Sequence, residues 1–335
     1  MAYFGVTASE AGLSAAVPGE ELEAGLRRGL GGGACAAPVV ILVHGFKFHP
    51  DQPAADPHRL LFALSPAGGG RRIRSWPEGL GFRADAGETG LCVGFAWPAS
   101  APILGSLLAT GRTGFARVYE RAAAYGARVA ELVALLQRLA PGRPVDILAH
   151  SLGARVALAA LPALAQPPGR VILLGAAEFG ARALGFVRAA AGAPETCPEI
   201  YNVTARSNDL YDLAFEMFAP GRGGGERALA CGLGAEVPSW LDLQLDRAEV
   251  TAWVNGLGIP LSASNARLCH WGFYTRGGAL AVYEAILRRR PGWDVASLRA
   301  TPCFAAQDPR WSRLLPRRPV LPRLPLAIGG NLTRA

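Results

Sequence analysis

Apolar residues along the chain follow two patterns. In the first, Val, Ile and Leu form short continuous runs, which are typical of strands buried on both faces of a sheet. In the second, apolar positions recur every three or four residues, which predicts amphipathic helices. The runs cover residues 39–43, 91–96, 145–149, 171–174 and 200–204, and the helical periodicity covers 115–139, about 152–164 and about 279–287.

These two patterns alternate along most of the chain. Such alternation predicts an α/β fold, the class in which helices cover both faces of a mostly parallel central sheet. Residues 240–245 alternate apolar and polar side chains instead, so we expect them to form a strand nearer the edge.

The composition divides the chain into three parts. We expect an N-terminal extension at 1–37, an α/β domain at 38–290 and a tail rich in Pro and Arg at 291–335. The apolar segment 98–114 is a candidate lid or insert, with a loop lying on the core as the alternative. Because the tail carries many apolar residues, we expect it to pack on the domain rather than to form a loose arm at anionic membranes.

Charge is distributed unevenly. The net charge is +8, from 34 basic and 26 acidic residues, and residues 288–335 contain ten Arg against two acids, which accounts for the whole excess. The electrically neutral remainder argues against a nucleic-acid partner. No apolar run is long enough for an integral membrane segment, and no secretory signal is visible. The six Cys residues form no metal-ligand spacing, so we expect no metal, a cytoplasmic location and free thiols, with a Cys197–Cys231 bridge as the alternative to free thiols.

The segment with the clearest chemical meaning joins a predicted strand to a predicted helix. It reads Ala149-His150-Ser151-Leu152-Gly153. Small-x-Ser-x-Gly at such a junction is the pattern of a nucleophile elbow, whose sharp turn needs small residues on both sides because neighbouring chain lies close. We therefore expect Ser151 to be a nucleophile.

A second segment complements the elbow. His44-Gly45-Phe46 follows the first strong strand, where acyl-transfer enzymes place one backbone donor for the developing oxyanion. The donors expected from this arrangement are the N–H groups of Phe46 and Leu152.

A serine nucleophile needs a base and a group that orients the base. Of the five histidines only His270 lies after Ser151, which makes it the candidate base. Asp209, after the strand at 200–204, is the favoured acid. Glu178, after the strand at 171–174, and Asp212, one helical turn beyond Asp209, are the alternatives.

At these positions the chain resembles the α/β-hydrolase superfamily over residues 38–288. It is most similar to a bacterial group of uncharacterised hydrolases that carry Trp-Pro after the fourth core strand and a His-Ser-small-Gly elbow. The residues that carry the resemblance are Gly94-Phe-Ala-Trp97-Pro98, Tyr119 in the long helix, and residues 148–155. The resemblance implies an α/β-hydrolase fold, Ser151 as nucleophile, Asp209 as acid, His270 as base, and Phe46 and Leu152 as oxyanion donors. Ala149 departs from the usual Gly.

The function implied is hydrolysis of small-molecule carboxylic esters through an acyl-enzyme, without a metal or organic cofactor. Apolar residues around the expected site favour an apolar acyl group of short to medium length, and Trp97 and His150 are candidate substrate-binding residues. A thioesterase or acyltransferase with the same residues is the alternative. A hydrolase fold used only for binding is a third hypothesis, disfavoured because every catalytic residue type is present.

Overall fold

The computed structural model describes residues 2–31, 37–68, 70, 72–83, 90–102, 113–190, 197–221, 223, 225–234 and 237–315. The middle of the candidate lid, residues 103–112, and the end of the tail, residues 316–335, lie outside this part of the chain.

An eight-stranded sheet forms the centre of the domain. Its strand order is β2-β1-β4-β3-β5-β6-β7-β8, and every neighbouring pair is parallel except β1 with β2. The strands are β1 (Tyr3–Ala8), β2 (Leu13–Ala15), β3 (Val39–Val43), β4 (Leu91–Ala96), β5 (Val145–His150), β6 (Arg170–Leu174), β7 (Glu199–Thr204) and β8 (Trp240–Gln244). The five continuous runs are therefore strands, and β8 is an edge strand, as predicted.

Helices cover both faces of this sheet, which is the α/β-hydrolase fold. They are α1 (Leu22–Leu30), α2 (Pro57–Leu60), α3 (Trp76–Gly79), α4 (Gly114–Leu139), α5 (Leu152–Ala160), α6 (Gly180–Ala190), α7 (Asp209–Phe218), α8 (Ala248–Gly256), α9 (Gly272–Thr275), α10 (Ala279–Leu287) and α11 (Val295–Ala300). Alternate residues of a strand enter opposite layers of the core: Ile41 packs with α4 and α5, whereas Leu42 packs with α10. The predicted helices at 115–139, 152–164 and 279–287 correspond to α4, α5 with the short turn after it, and α10.

The N-terminal region differs from the sequence expectation of an extension at 1–37. Residues of β1 pair in parallel with β4, so that Tyr3 lies opposite Cys92 and Thr7 opposite Ala96. Side chains of β1 alternate between buried and half-buried positions because one face of this outer strand packs on α1. Strand β1 and helix α1 are therefore part of the domain.

The C-terminal region continues past the predicted domain end at residue 290. Helix α11 packs against β7 and β8, and the Asp308 N–H donates to Oε1 of Gln244 at 2.6 Å. Residues 291–315 therefore lie on the domain, and they bring Arg310, Trp311 and Arg313 towards the carboxyl ends of the strands.

Candidate active site

Ser151 occupies a strained turn between β5 and α5. Its backbone has φ 56° and ψ −121°, a region that non-glycine residues rarely adopt. The Ser151 N–H donates to the carbonyl of Leu174 at 2.9 Å, and its own carbonyl accepts from Ala177 N–H at 3.0 Å. Both bonds go to the end of β6 and the loop beyond it, which holds the turn in place.

Close packing around this turn explains the small residues beside the serine. A Cβ added to Gly153 would lie 2.5 Å from the carbonyl oxygen of Val43. A Cβ added to Gly45 would lie 2.7 Å from Cβ of Ser151 and 2.9 Å from the carbonyl oxygen of His150. The elbow and the loop after β3 are therefore in contact, and neither accepts a larger residue at these points without moving.

His44 fixes the loop that carries Gly45 and Phe46. Trp97 donates its backbone N–H to Nε2 of His44 at 3.1 Å, so Nε2 is an acceptor and Nδ1 carries the proton that goes to the Gly45 carbonyl at 2.9 Å. The indole N–H of Trp97 donates to the His44 carbonyl at 3.0 Å. Burial lowers the pKa of His44 to about 3, so the ring remains neutral and keeps this arrangement at physiological pH.

The two predicted oxyanion donors lie on either side of the contact between the elbow and this loop. Leu152 is the first residue of α5, where an N–H has no acceptor within its own helix. In the part of the chain that the structure describes, the Phe46 N–H has no backbone acceptor either, whereas the next N–H, of Lys47, donates to Ala99. Within the described residues, neither N–H group is therefore taken up by a backbone carbonyl.

The structure brings His270 to the same cavity as Ser151, and there its partner is Asn208. Nδ1 of His270 lies 2.7 Å from Oδ1 of Asn208, which comes from the short turn at 206–208 before α7. An amide oxygen only accepts, so Nδ1 carries the proton and Nε2 keeps a lone pair. His270 thus has the tautomer that a general base requires.

Asp209, the favoured acid from the sequence, does not reach His270. It is fully buried, its Oδ1 lies 3.5 Å from Nη1 of Arg206, and its Oδ2 accepts from the Trp311 N–H at 2.5 Å. Consecutive side chains at the start of a helix point about 100° apart, so Asn208 and Asp209 cannot both face the histidine. Asn208 takes the position that the sequence reasoning gave to its neighbour.

The two alternative acids have different environments. Glu178 is buried in an ion pair with Arg155 and also accepts from Tyr119 Oη at 2.5 Å and from Phe179 N–H at 2.7 Å. Those contacts hold the loop after β6 against α4 and α5. Asp212 lies behind Asn208 and accepts from its Nδ2 at 2.6 Å.

Aromatic rings surround the base. Tyr211 stacks on His270 with centroids 4.9 Å apart, and the His150 ring lies 4.7 Å from it. Nε2 of His150 donates to the His270 carbonyl at 3.1 Å, and burial lowers the pKa of His150 to about 4. Desolvation, with smaller contributions from His150 and Lys47, lowers the pKa of His270 well below its usual value. The candidate base is therefore neutral at physiological pH.

A cavity of about 280 Å³ opens beside Ser151 and His270. Among the described residues its walls are mainly aromatic, and Lys47, Asn208 and Asp212 also contribute to the lining. The aromatic side chains that line it are Phe46, Phe48, Phe115, Tyr211, Phe215, Phe218, Trp271 and Tyr274. His150 lines the cavity, but Trp97 does not: it is buried against His44 and Tyr125.

Asn208 and the aromatic wall were not recognised from the sequence. Carboxylates are the usual third members of such sites, and an Asn in Ser207-Asn208-Asp209 is also an ordinary residue to find before a helix. The aromatic side chains of the wall come from segments far apart in the chain, from Phe46 to Tyr274, so no local sequence pattern contains them all.

Comparison with protein families gives a match that covers less than half of the chain. Residues 35–173 match the family described as "Alpha/beta hydrolase of unknown function (DUF900)". The matched region includes Phe46 and Ser151 and ends before Asn208 and His270. No curated protein matches the chain. The sheet and the family match together confirm the resemblance to the α/β-hydrolase superfamily.

Within the described ranges, the structure contains neither a helix long and apolar enough to cross a membrane nor a group of three or more His, Cys, Asp or Glu side chains that could hold a metal ion.

Proposed function

We propose that the protein hydrolyses carboxylic esters through an acyl-enzyme on Ser151, with His270 as the general base and Asn208 holding His270 in place. The observation that carries the proposal is the pairing, in one cavity, of a serine on a strained elbow with a histidine whose Nδ1 donates to Asn208. Since Nε2 of that histidine keeps its lone pair, it can accept the serine proton.

The reaction follows from these roles. His270 Nε2 takes the proton of the Ser151 hydroxyl while Oγ bonds to the acyl carbon, and the carbonyl electron pair moves onto oxygen. The Phe46 and Leu152 N–H groups donate to that oxygen. Collapse of the intermediate breaks the bond to the alcohol, which leaves with the proton from His270. Water repeats the sequence on the acyl-enzyme and releases the acid and free Ser151.

The cavity favours an apolar acyl group. Phe46 and Phe115 meet edge to face with centroids 5.3 Å apart, and Phe215 continues the same wall 6.3 Å from Phe115. A volume of about 280 Å³ suits an acyl chain of short to medium length rather than a long one. Apolar contacts discriminate by only about 1–3 kcal/mol per methylene, so we expect broad selectivity within that range.

A fluorophosphonate probe tests the nucleophile, and a panel of p-nitrophenyl esters and acyl-CoA thioesters tests the substrate class. We expect labelling of wild type, turnover of short and medium p-nitrophenyl esters, and loss of both in Ser151→Ala. The fall in rate is expected to be on the order of 10⁴-fold or more. Ser14→Ala, a change at an exposed strand residue, is the control.

Retention of more than a few per cent of the activity in a folded Ser151→Ala protein would remove Ser151 from this role. A preference for acyl-CoA thioesters, with the p-nitrophenyl esters left intact, would contradict the assigned substrate class.

A further inference from the structure

The side-chain amide of Asn208 can face His270 with either its oxygen or its nitrogen. The two ends of an Asn side chain have nearly the same shape, but one accepts and the other donates. If Oδ1 faces His270, the ring proton stays on Nδ1 and Nε2 can act as a base. If Nδ2 faces His270, that N–H needs the Nδ1 lone pair, the ring proton moves to Nε2, and the base is lost. Whatever fixes the amide of Asn208 therefore controls the catalytic tautomer.

Asp212 is the group in a position to do so. Its Oδ1 lies 2.6 Å from Nδ2 of Asn208, and both side chains are buried. An ionised carboxylate accepts at both oxygens and donates at neither. An ionised Asp212 therefore requires Nδ2 of Asn208 on its side, which leaves Oδ1 facing Nδ1 of His270 at 2.7 Å.

We propose that Asp212 is a positioning residue that acts through Asn208: it fixes the orientation of the amide, and so keeps the proton of His270 on Nδ1. The inference rests on the proposed function, because it explains how His270 is held ready to accept the proton of Ser151. An ionised Asp212 also places a negative charge near the imidazolium that forms on His270 during the reaction, with only the side chain of Asn208 between them. A neutral amide alone would stabilise that imidazolium little.

Protonation of Asp212 would remove the constraint. A carboxylic acid can donate its O–H to Oδ1 of Asn208, and the amide can then turn its N–H towards His270. Burial raises the pKa of Asp212 to about 8. The groups that face it are Arg206 before α7, Asp209 and Glu216 on α7, Arg310 from the C-terminal segment, and Cys231, whose Sγ lies 3.8 Å from Oδ2. The two arginines oppose the rise, and the two carboxylates add to it.

The sign of the pH effect follows. Ionised Asp212 is the form that orients Asn208, so the rate of Ser151 labelling should rise as the pH passes through about 8. Protonation of His270 gives a separate limb at lower pH, since the pKa of that ring lies well below its usual value.

Two exchanges of acid for amide test the proposal. Asp212→Asn removes the acid and leaves two amides that can turn either way. We expect its fluorophosphonate labelling at pH 9 to fall at least tenfold and its rise between pH 7 and 9 to disappear. The swap Asn208→Asp/Asp212→Asn keeps one acid and one amide but puts the acid beside His270. We expect the swap to label within about threefold of wild type at pH 9 and already at full rate at pH 7.

Glu216→Gln is the matched control, because Glu216 is a second buried acid on α7, and it accepts hydrogen bonds from Ala228 N–H and Arg310. We expect it to lower the melting temperature and to keep the rise in labelling, moved to a lower pH because Glu216 adds to the raised pKa of Asp212. A wild-type rate and pH profile in Asp212→Asn would overturn the proposal. So would a folded swap variant that labels no faster than Asp212→Asn.

The tautomer of His270 can also be measured in the wild-type protein before it reacts with a probe. This measurement does not need a folded variant, and it distinguishes a failure of the role of Asp212 from a failure of the proposed function. In ¹⁵N-histidine spectra of the wild type at pH 9, assigned by comparison with His270→Gln, the proton of His270 should be on Nδ1. At pH 6.5, or in Asp212→Asn, the Nε2–H form should appear. A fixed Nδ1–H tautomer under all conditions would contradict the role of Asp212. Absence of labelling at Ser151 would instead contradict the proposed function.

Discussion

Gly45 offers a direct test of the packing between the elbow and the loop that carries Phe46. A methyl group at this position would lie 2.7 Å from Cβ of Ser151, 2.9 Å from the carbonyl oxygen of His150 and 3.3 Å from Oγ of Ser151. Carbon atoms in contact prefer about 3.5–4.0 Å, so the Gly45→Ala protein must separate the loop and the serine by about 1 Å.

We expect the Gly45→Ala substitution to affect the rate of labelling more than the stability of the fold. A misplacement of about 1 Å at reacting groups can lower a rate about 10²-fold, whereas overpacking typically costs about 1–3 kcal/mol of stability. We therefore expect Gly45→Ala to remain folded at 25 °C and to react with a fluorophosphonate about 10²-fold more slowly than wild type.

Gly185→Ala is the matched control. Gly185 lies within α6, and a Cβ added there meets nothing within 4 Å. Alanine in a helix interior is favoured over glycine by about 1 kcal/mol, so this variant should be slightly more stable and fully reactive. A Gly45→Ala protein with more than half the wild-type labelling rate would refute the claim that this contact positions the nucleophile.

Two further changes concern residues around Asp209. We expect Asp209→Asn to lower the free energy of unfolding by about 3–5 kcal/mol, because it removes one member of a buried ion pair with Arg206, while the folded fraction labels within about threefold of wild type. This reverses the expectation from the sequence, in which Asp209 is the acid. A stable but inert Asp209→Asn protein, seen by urea unfolding and labelling side by side, would restore that assignment. Truncation after Arg290 removes the side-chain partners of Glu216 and Asp246 as well as the amide bound to Asp209, so we expect an insoluble product. A soluble truncated protein with the wild-type melting temperature would show that residues 291–315 contribute little.

The strands differ in how clearly the sequence indicates them. Strands β3 to β7 are buried on both faces, so their residues form continuous apolar runs that local pattern detects. Strand β1 lies near the edge, alternates half-buried with buried residues and contains a glycine, and the pattern does not reveal it.

The same contrast holds at the site. The elbow is a local motif, because its turn, its small neighbours and its nucleophile all lie within five residues. Asn208 differs, since its role depends on the direction in which a side chain leaves the start of α7, and a shift of one residue exchanges Asn208 for Asp209. A carboxylate is the usual partner of a catalytic histidine, and that preference pointed to Asp209, whereas the side chain in contact with His270 is that of Asn208.

The bond between Trp311 and Asp209 also bears on synthesis of the chain. The two residues are 102 positions apart, and Arg310 and Arg313 reach Glu216 and Asp246 over similar spans. A ribosome that adds about 5–20 residues per second needs about 5–20 s to cover that distance. During this interval Ser151 and Asn208 have already been made, but the acidic side chains near them have only Arg206 as a counter-charge and still lack Arg310 and Arg313. A chain that is stalled or clipped before residue 310 should therefore lack the contacts that hold these acidic side chains in place.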